Sequence, residues 1–403
     1  MRCEELAPEA LHGLDLVPFS GRERVQTSGS WLELTAGELP SICGPGARMC
    51  VLASFDGEGV AAAIPAVRTE ALGEPRPFPM DVEDLFFGLW IRHVDERDRE
   101  LRRRAVAARV FGAALGRLNR SLRRALILHA PLAPASDALV ARRLGPSAAS
   151  AALGAVLGRA RALAAEEGRC AVIPRLLRRD AARWGGALDG FVRAATYPSA
   201  ELIPGAPLPA RTRQMIRRNA RLVERAGVTV EIARRAPEDV PFGALFAETA
   251  GRHVDPAPRL DDALFRAIGD RFPGSVRFLC ARRGGRPVGF VAAFARGSAW
   301  EAWKCGADRS EAAGAPVYLD LVYGALPELA AREGGARIEL GAGQIGLKRR
   351  YGARTCAVDV HVALPPGFLG RRVFSMYAKA VGEGIARAEG GEDQVESVAT
   401  TPK

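Results

Sequence analysis

Residues 338–353 read IELGAGQIGLKRRYGA, and Gly341 to Gly346 spell G-x-G-x-x-G directly after an apolar, strand-like run. That spacing is the fingerprint of a dinucleotide-binding turn, in which a helix then crosses back to a parallel strand. The helix fails here. Only LKRRY separates Gly346 from Gly352, and the strand-like CAVDVHVAL follows almost at once. A crossover needs on the order of ten residues or more. Asp359 sits roughly where a ribose-binding acid is wanted, but the stretch lies too late in the chain for a doubly wound domain to follow. The spacing predicts a brief helix between a central strand and an antiparallel return strand, with no nicotinamide or flavin nucleotide bound.

Upstream, the same rhythm occurs twice. ARMCVLASFDGEGVAAAIPAV (Ala47 to Val67) places apolar runs around Asp56-Gly57, and VRFLCARRGGRPVGFVAAF (Val276 to Phe294) does so around Gly284-Gly285. Both are hairpin signals. In the first half ALILHAPL leads to PSAASAALGAVLGRARALAAEEG and then CAVIPRL; in the second, AWEAWKC leads to APVYLDLVYGALPELAAREGG and then ARIEL. Each long segment opens near Pro and closes on Gly, as helices do. Hairpin, strand, helix, strand, short helix, strand: two copies of one α/β unit are expected. The proline-rich YPSAELIPGAPLPAR (Tyr197 to Arg211) marks the boundary. The expected division is 1–200, 201–388 and a polar tail, 389–403.

A chain of 403 residues, 48% hydrophobic, suits two globular domains. Lys and Arg exceed Asp and Glu by 11, and the isoelectric point is about 9.8. The excess points to a polyanionic partner, or reflects a chain rich in Ala, Arg and Gly throughout. Seven cysteines form no C-x-x-C pair and five histidines show no ligand spacing. A reducing cytoplasm is expected, with no metal, no resident cofactor and no membrane span. In RTRQMIRRNARLVERAG, Met215, Ile216, Leu222 and Val223 gather on one helical side and Arg217, Arg218, Arg221 and Arg225 on the other. The arginines form either a solvated face or a phosphate-binding ridge. The basic segment Arg97 to Arg124 has the same two readings.

RIELGAGQIGLKRRYGARTCAVDVHVAL resembles the closing segment of tandem acyltransferase-fold proteins, the Fem-type peptidoglycan aminoacyltransferases and their smaller relatives in amino-acid and natural-product pathways. The match rests on Glu339 and Gly341, then Lys348, Arg349 and Arg350, then Tyr351 and Gly352. RQMIRRNARLVERAGVTVE resembles the family's basic helix. The likeness covers Arg211 to Leu364, and the first half only through its element order. It implies two tandem GNAT-like domains, each a mixed sheet flanked by helices. Leu347 replaces the usual aromatic residue, and no long paired-helix arm is present, so a cell-wall precursor is not the expected acceptor. RSEAAGAP (Arg309 to Pro316) departs from the pyrophosphate-binding loop of coenzyme-A users, whose backbone N–H groups cradle phosphates.

The resemblance implies amide formation by acyl transfer to an amine. A neutral amine needs positioning, a proton acceptor and oxyanion stabilisation, with no activated Ser or Cys. The family's substrates meet where the two central strands diverge. There Glu301 and Trp303 share one strand face, and Trp300 and Lys304 the other. Glu301, Asp320 and Glu339 are the candidate proton acceptors. Trp300, Trp303 and Tyr318 would wall an acyl pocket, and Lys348, Arg349 and Arg350 would hold a phosphate or the end of a tRNA. In PRPFPMDVEDLFFGLW (Pro75 to Trp90), Asp81, Asp84 and Phe86 are candidates for binding an amine acceptor. The favoured donor is aminoacyl-tRNA and the acceptor a small-molecule or peptide amine. The alternatives are an acyl-CoA N-acyltransferase and a non-catalytic RNA-binding protein.

Overall fold

The computed structural model describes residues 1–69, 124–251, 259–342 and 344–364, apart from positions 23, 44, 45, 309, 311 and 313. Asp81, Asp84 and Phe86, nearly all of the basic segment from Arg97, and the tail lie outside the described residues.

The first half contains β1 (Arg2–Leu6), β2 (Leu16–Pro18), helix α1 (Gly29–Gly37), β3 (Arg48–Asp56), β4 (Gly59–Arg68), β5 (Ala125–Ile127), β6 (Leu139–Ala141), α2 (Pro146–Glu166), β7 (Cys170–Leu177), α3 (Arg178–Trp184) and β8 (Val192–Leu202). The β3–β4 turn forms at Asp56-Gly57, with Asp56 Oδ1 accepting from the Glu58 amide at 2.9 Å. Helix α2 starts with Pro146 and buries Ala149, Ala152, Leu153, Val156, Leu157 and Ala160 along one stripe.

The second half contains α4 (Ala210–Arg225), β9 (Val228–Ala233), α5 (Phe242–Ala250), α6 (Asp262–Arg271), β10 (Val276–Arg283), β11 (Arg286–Arg296) and β12 (Ala299–Ala307). Gly284 and Gly285 turn the β10–β11 hairpin with φ of 54° and 80°, the left-handed values a two-residue hairpin needs. A long helix follows as α7 (Val317–Asp320), a π-helical turn (Leu321–Ala325) and α8 (Leu326–Arg332); then come β13 (Arg337–Ala342), α9 (Ile345–Arg350) and β14 (Arg354–Ala363). The expected double order of elements is present. After Gly341 (φ 68°) and Gln344 (φ 50°), α9 has six residues and leads to an antiparallel strand. No crossover helix follows the glycines.

Among the described residues all strands join one sheet, whose main path is β1-β3-β4-β5-β7-β14-β8-β13-β12-β11-β10-β9. The return strands are antiparallel to their neighbours, but each crosses to the other half. β14 pairs with β7 and β8, and β8 pairs with β13. β5–β7 and β12–β13 are the parallel pairs, each over three register positions. Beyond Glu301 and Glu339 the second pair diverges. One apolar core joins the halves: Trp31 of α1 packs edge-on to Phe294 and Trp303 at 5.4 and 5.7 Å between centroids.

The expected alternation along β12 breaks after Ala302. Ala292 pairs with Lys304 while Ala293 pairs with Ala302, so Trp303 is the extra residue of a bulge. The slip moves Lys304 to the Glu301 and Trp303 face, where its ammonium lies 5.2 Å from the Trp303 ring centroid. It does not share a face with Trp300.

Candidate functional site

Glu301 and Glu339 are register partners in the parallel pair, at its last paired position. Their side chains therefore project to the same sheet face. Both are buried, each 7% exposed. The face opposite carries Trp300 and Ile338, which pack under α7 and α8. The glutamates instead meet the N-terminal segment before α1. Gln26 Nε2 donates to Glu301 Oε2 at 2.8 Å, and Arg24 Nη2 donates to Glu339 Oε1 at 3.0 Å. Arg22 approaches Glu339 at 3.7 Å, and also Glu201 and Asp180 at 3.5 and 3.4 Å.

Burial, reinforced by the neighbouring Glu339 charge, pushes the Glu301 carboxyl up from 4.5 to about 8. Glu301 is thus largely protonated at pH 7 and can exchange a proton near the pH at which amines become neutral. Glu339 is held by two guanidinium groups. A cleft of about 20 Å³ lies over the pair, lined by Arg22, Arg24, Gln26, Phe294, Arg296 and Arg337 among others.

The third carboxylate candidate does not join them. Asp320 ends α7, on the opposite side of the sheet, beside Gly324. Burial and then Glu328 raise its pKa. Tyr318 lies on that side too, against Cys305, whose charge and its own burial raise the phenol well above its usual value. Trp303 packs on the other side, its indole N–H donating to the Leu132 carbonyl at 3.2 Å. The two aromatics therefore do not wall one pocket. Lys348 is 5% exposed, and its Nζ donates to the carbonyls of Leu340, Gly341 and Ala342 at 2.8, 2.9 and 2.9 Å. An ammonium has three donors, so none is left for a substrate in this arrangement. Lys348 holds the end of β13. Burial lowers its pKa to about 7.

Arg217, Arg218, Arg221 and Arg225 are all exposed on α4. Among the described residues they form no hydrogen bond or ion pair. Some other exposed arginines do pair, such as Arg142 with Asp15 and Arg271 with Glu33. Helix α4 is tied to the chain after α9 by Thr212, whose hydroxyl donates to the Arg350 carbonyl at 3.1 Å, and by Asn219, which donates to the Tyr351 hydroxyl at 2.7 Å. Arg350 is exposed beside it; Arg349 is half-buried and bonded to Thr355. In the loop before α7, the amides of Ser310, Ala312, Ala315 and Val317 bond to Asp308 or to carbonyls of the same loop.

Arg22, Arg24, Gln26 and Arg175 were not singled out by sequence. The first three lie in GRERVQTSG, which has no periodicity and no motif. Only the basic pair flanking Glu23 gave any sign. His129 is fully buried between Ser136 and the Ala133 carbonyl, and burial, then Arg175, push it down to about 3. It is a neutral, satisfied core histidine. Among the described residues no group of three or more His, Cys, Asp or Glu is arranged to hold a metal, and no helix is long and apolar enough to cross a membrane.

Residues 210–349 match the acetyltransferase (GNAT) domain family, and the two tandem α/β halves, each with one parallel strand pair, have the fold of tandem GNAT-like proteins. FemX is similar in fold, with a TM-score of 0.50 and 11% identity over 94% of this chain and 100% of that one. A tandem GNAT protein from the clavulanic acid biosynthesis pathway superposes with a TM-score of 0.40 at 13% identity, covering 90% of this chain and 98% of the other. L-PGS from Bacillus licheniformis gives 0.46 at 13% identity, over 64% and 83%. No curated protein matches the sequence significantly.

Proposed function

We infer that this acyltransferase moves an amino acid from aminoacyl-tRNA to the amine of a small-molecule or peptide acceptor. The observation that carries this is the α4 ridge of four exposed arginines, gathered on one helix face with no carboxylate partner among the described residues. Such a row suits an extended phosphate backbone. The loop before α7 supports the same donor. Several of its amides are already bonded and it carries the Asp308 carboxylate, which disfavours a pyrophosphate.

The acceptor amine attacks the ester carbonyl at the point where β12 and β13 diverge. The N–C bond forms, the C–O bond to the ribose breaks, and the amine proton passes to ionised Glu301 and from it to the departing ribose oxygen, which leaves as the free hydroxyl of the tRNA. A base with pKa about 8 is well matched to an amine. Glu339, fixed by Arg24, keeps Glu301 basic through its charge.

The test is a reconstituted reaction with tRNA, ATP and an aminoacyl-tRNA synthetase. Amide formation is expected to stop on adding RNase and to need no coenzyme A. RNase-resistant turnover with an acyl-CoA would favour the N-acyltransferase alternative. Tight RNA binding without turnover from either donor would favour a non-catalytic RNA-binding role.

A further inference from the structure

Arg175 lies on β7 and is 7% exposed, yet its Nε and Nη2 find no hydrogen-bond partner among the described residues. Those two nitrogens form one edge of the guanidinium, where two N–H bonds point in parallel. Three residues on, Arg178 uses that same edge on Asp359, with Nε and Nη2 donating to the two carboxylate oxygens at 3.1 and 2.9 Å. The edge is a fork that fits a carboxylate. A buried guanidinium with its fork unpaired is costly to keep. Its charged neighbours are Glu339, Arg24 and Glu301, the elements of the site already described.

A second cation stands in the same region. Lys304 lies three residues past Glu301, where β12 has left β13. The bulge at Trp303 turns it onto the Glu301 face. It lies over the rings of Trp303 and Phe246 at 5.2 and 6.0 Å, and forms no hydrogen bond among the described residues. Arg175 and Lys304 are within electrostatic reach of each other, and each is within reach of Glu301. One carboxylate arriving with the substrate would pair both.

We propose that Arg175, with Lys304 beside it, binds the carboxylate of the acceptor, and that the acceptor is an α-amino acid whose amine lies at Glu301. This rests on the amide-forming reading of the site and adds the substrate class. In the reaction the amine nitrogen gains the acyl carbon as its ester C–O bond to the ribose breaks, and the amine proton passes through Glu301 to the departing ribose oxygen. The carboxylate is unchanged, and the product is an N-acylated amino acid.

The experiment measures binding to the full chain, with no donor present. A panel of proteinogenic L-amino acids is compared, each with its carboxamide, by thermal shift and calorimetry. At least one amino acid is expected to bind saturably, and its amide about 100-fold more weakly, because the fork then lacks an anionic partner. Arg175→Lys keeps the charge and loses the fork, and is expected to weaken the acid by about tenfold or more. Arg175→Met removes an unpaired buried charge. It is expected to melt no lower than the parent and to bind acid and amide alike. Absence of binding by every amino acid, equal binding of acid and amide by the parent, or an acid preference that survives in both variants would overturn the proposal. A requirement for acyl-CoA in the turnover assay would overturn the tRNA donor and leave this binding result standing.

Discussion

Replacing Glu301 with Gln separates the chemistry of the carboxylate pair from its cost to the fold. In the folded chain Glu301 titrates at about 8 instead of 4.5, because it is buried beside Glu339. Between those two values the unfolded chain has lost a proton that the folded chain keeps. Stability therefore falls as pH rises from about 4.5 to about 8. At about 1.4 kcal/mol per pH unit, the loss at pH 7 is about 3 kcal/mol, and at pH 5 under about 1 kcal/mol. Glutamine mimics the protonated acid and can keep an amide contact with Gln26, so it escapes this penalty. With an unfolding entropy of about 2 cal/mol/K per residue, 3 kcal/mol corresponds to about 3 to 4 °C in Tm for a chain of this size.

Glu301→Gln is thus expected to raise Tm by a few degrees at pH 7 to 8 and to change it little at pH 5. It is expected to lower kcat by about 10² to 10⁴-fold, the range for loss of a positioned proton acceptor. In the parent enzyme kcat is expected to rise with pH and level off above about 8, and that limb should vanish in the variant. Thermal melts across pH and single-turnover kinetics read both effects. A variant equally destabilised at every pH, or one with unchanged turnover, would refute the account of Glu301.

Arg217→Glu with Arg221→Glu is expected to weaken tRNA binding and to flatten its dependence on salt by about two or more ions, since fewer counterions are released; filter binding from low to high salt reads the slope, and an unchanged slope assigns α4 to solvent. Lys348→Ala removes three bonds to the carbonyls of Leu340, Gly341 and Ala342, each worth about 1 kcal/mol net. It is expected to lower denaturant stability by about 2 to 4 kcal/mol and to affect tRNA affinity little; wild-type stability with lost tRNA binding would reverse that role. Calorimetry with NAD or FAD is expected to give no saturable heat, and binding abolished by Gly343→Asp would revive the dinucleotide interpretation of the glycines.

What the sequence could disclose follows from the range of each signal. The hairpins at Asp56-Gly57 and Gly284-Gly285, the Pro146 start of α2 and the brevity of α9 are local, and were legible. Partners across the fold were not. Gln26 and Glu301 are 275 positions apart, Arg24 and Glu339 315, and nothing in GRERVQTSG distinguishes a buried strap from a loop. The crossing of β8 and β14 was equally hidden. Each has the alternation of a half-buried strand, which fits pairing within its own half as well as the exchange observed. Lys304 was misplaced because a bulge depends on the opposing strand, and Lys348 because a basic residue in a basic helix gives no hint that its ammonium turns inward.

Comparison of the two halves separates what the fold requires from what it does not. The parallel pairs have the same three-position register. In the first half it ends at Ile127 opposite Val172, and in the second at Glu301 opposite Glu339. All four residues are buried. Two apolar side chains at this point satisfy the fold, as the first half demonstrates. Two carboxylates there must be desolvated, and burial of charge is retained at lower stability than apolar packing of similar volume. The glutamates are therefore not a requirement of the splayed pair itself. The first half contributes in another way, sending Arg24 and Gln26 across to the carboxylates it lacks, while its own strand β7 presents Arg175. A fold repeated twice has thus brought one buried cluster together, with the proposed proton acceptor on the second half and its charged neighbours on the first.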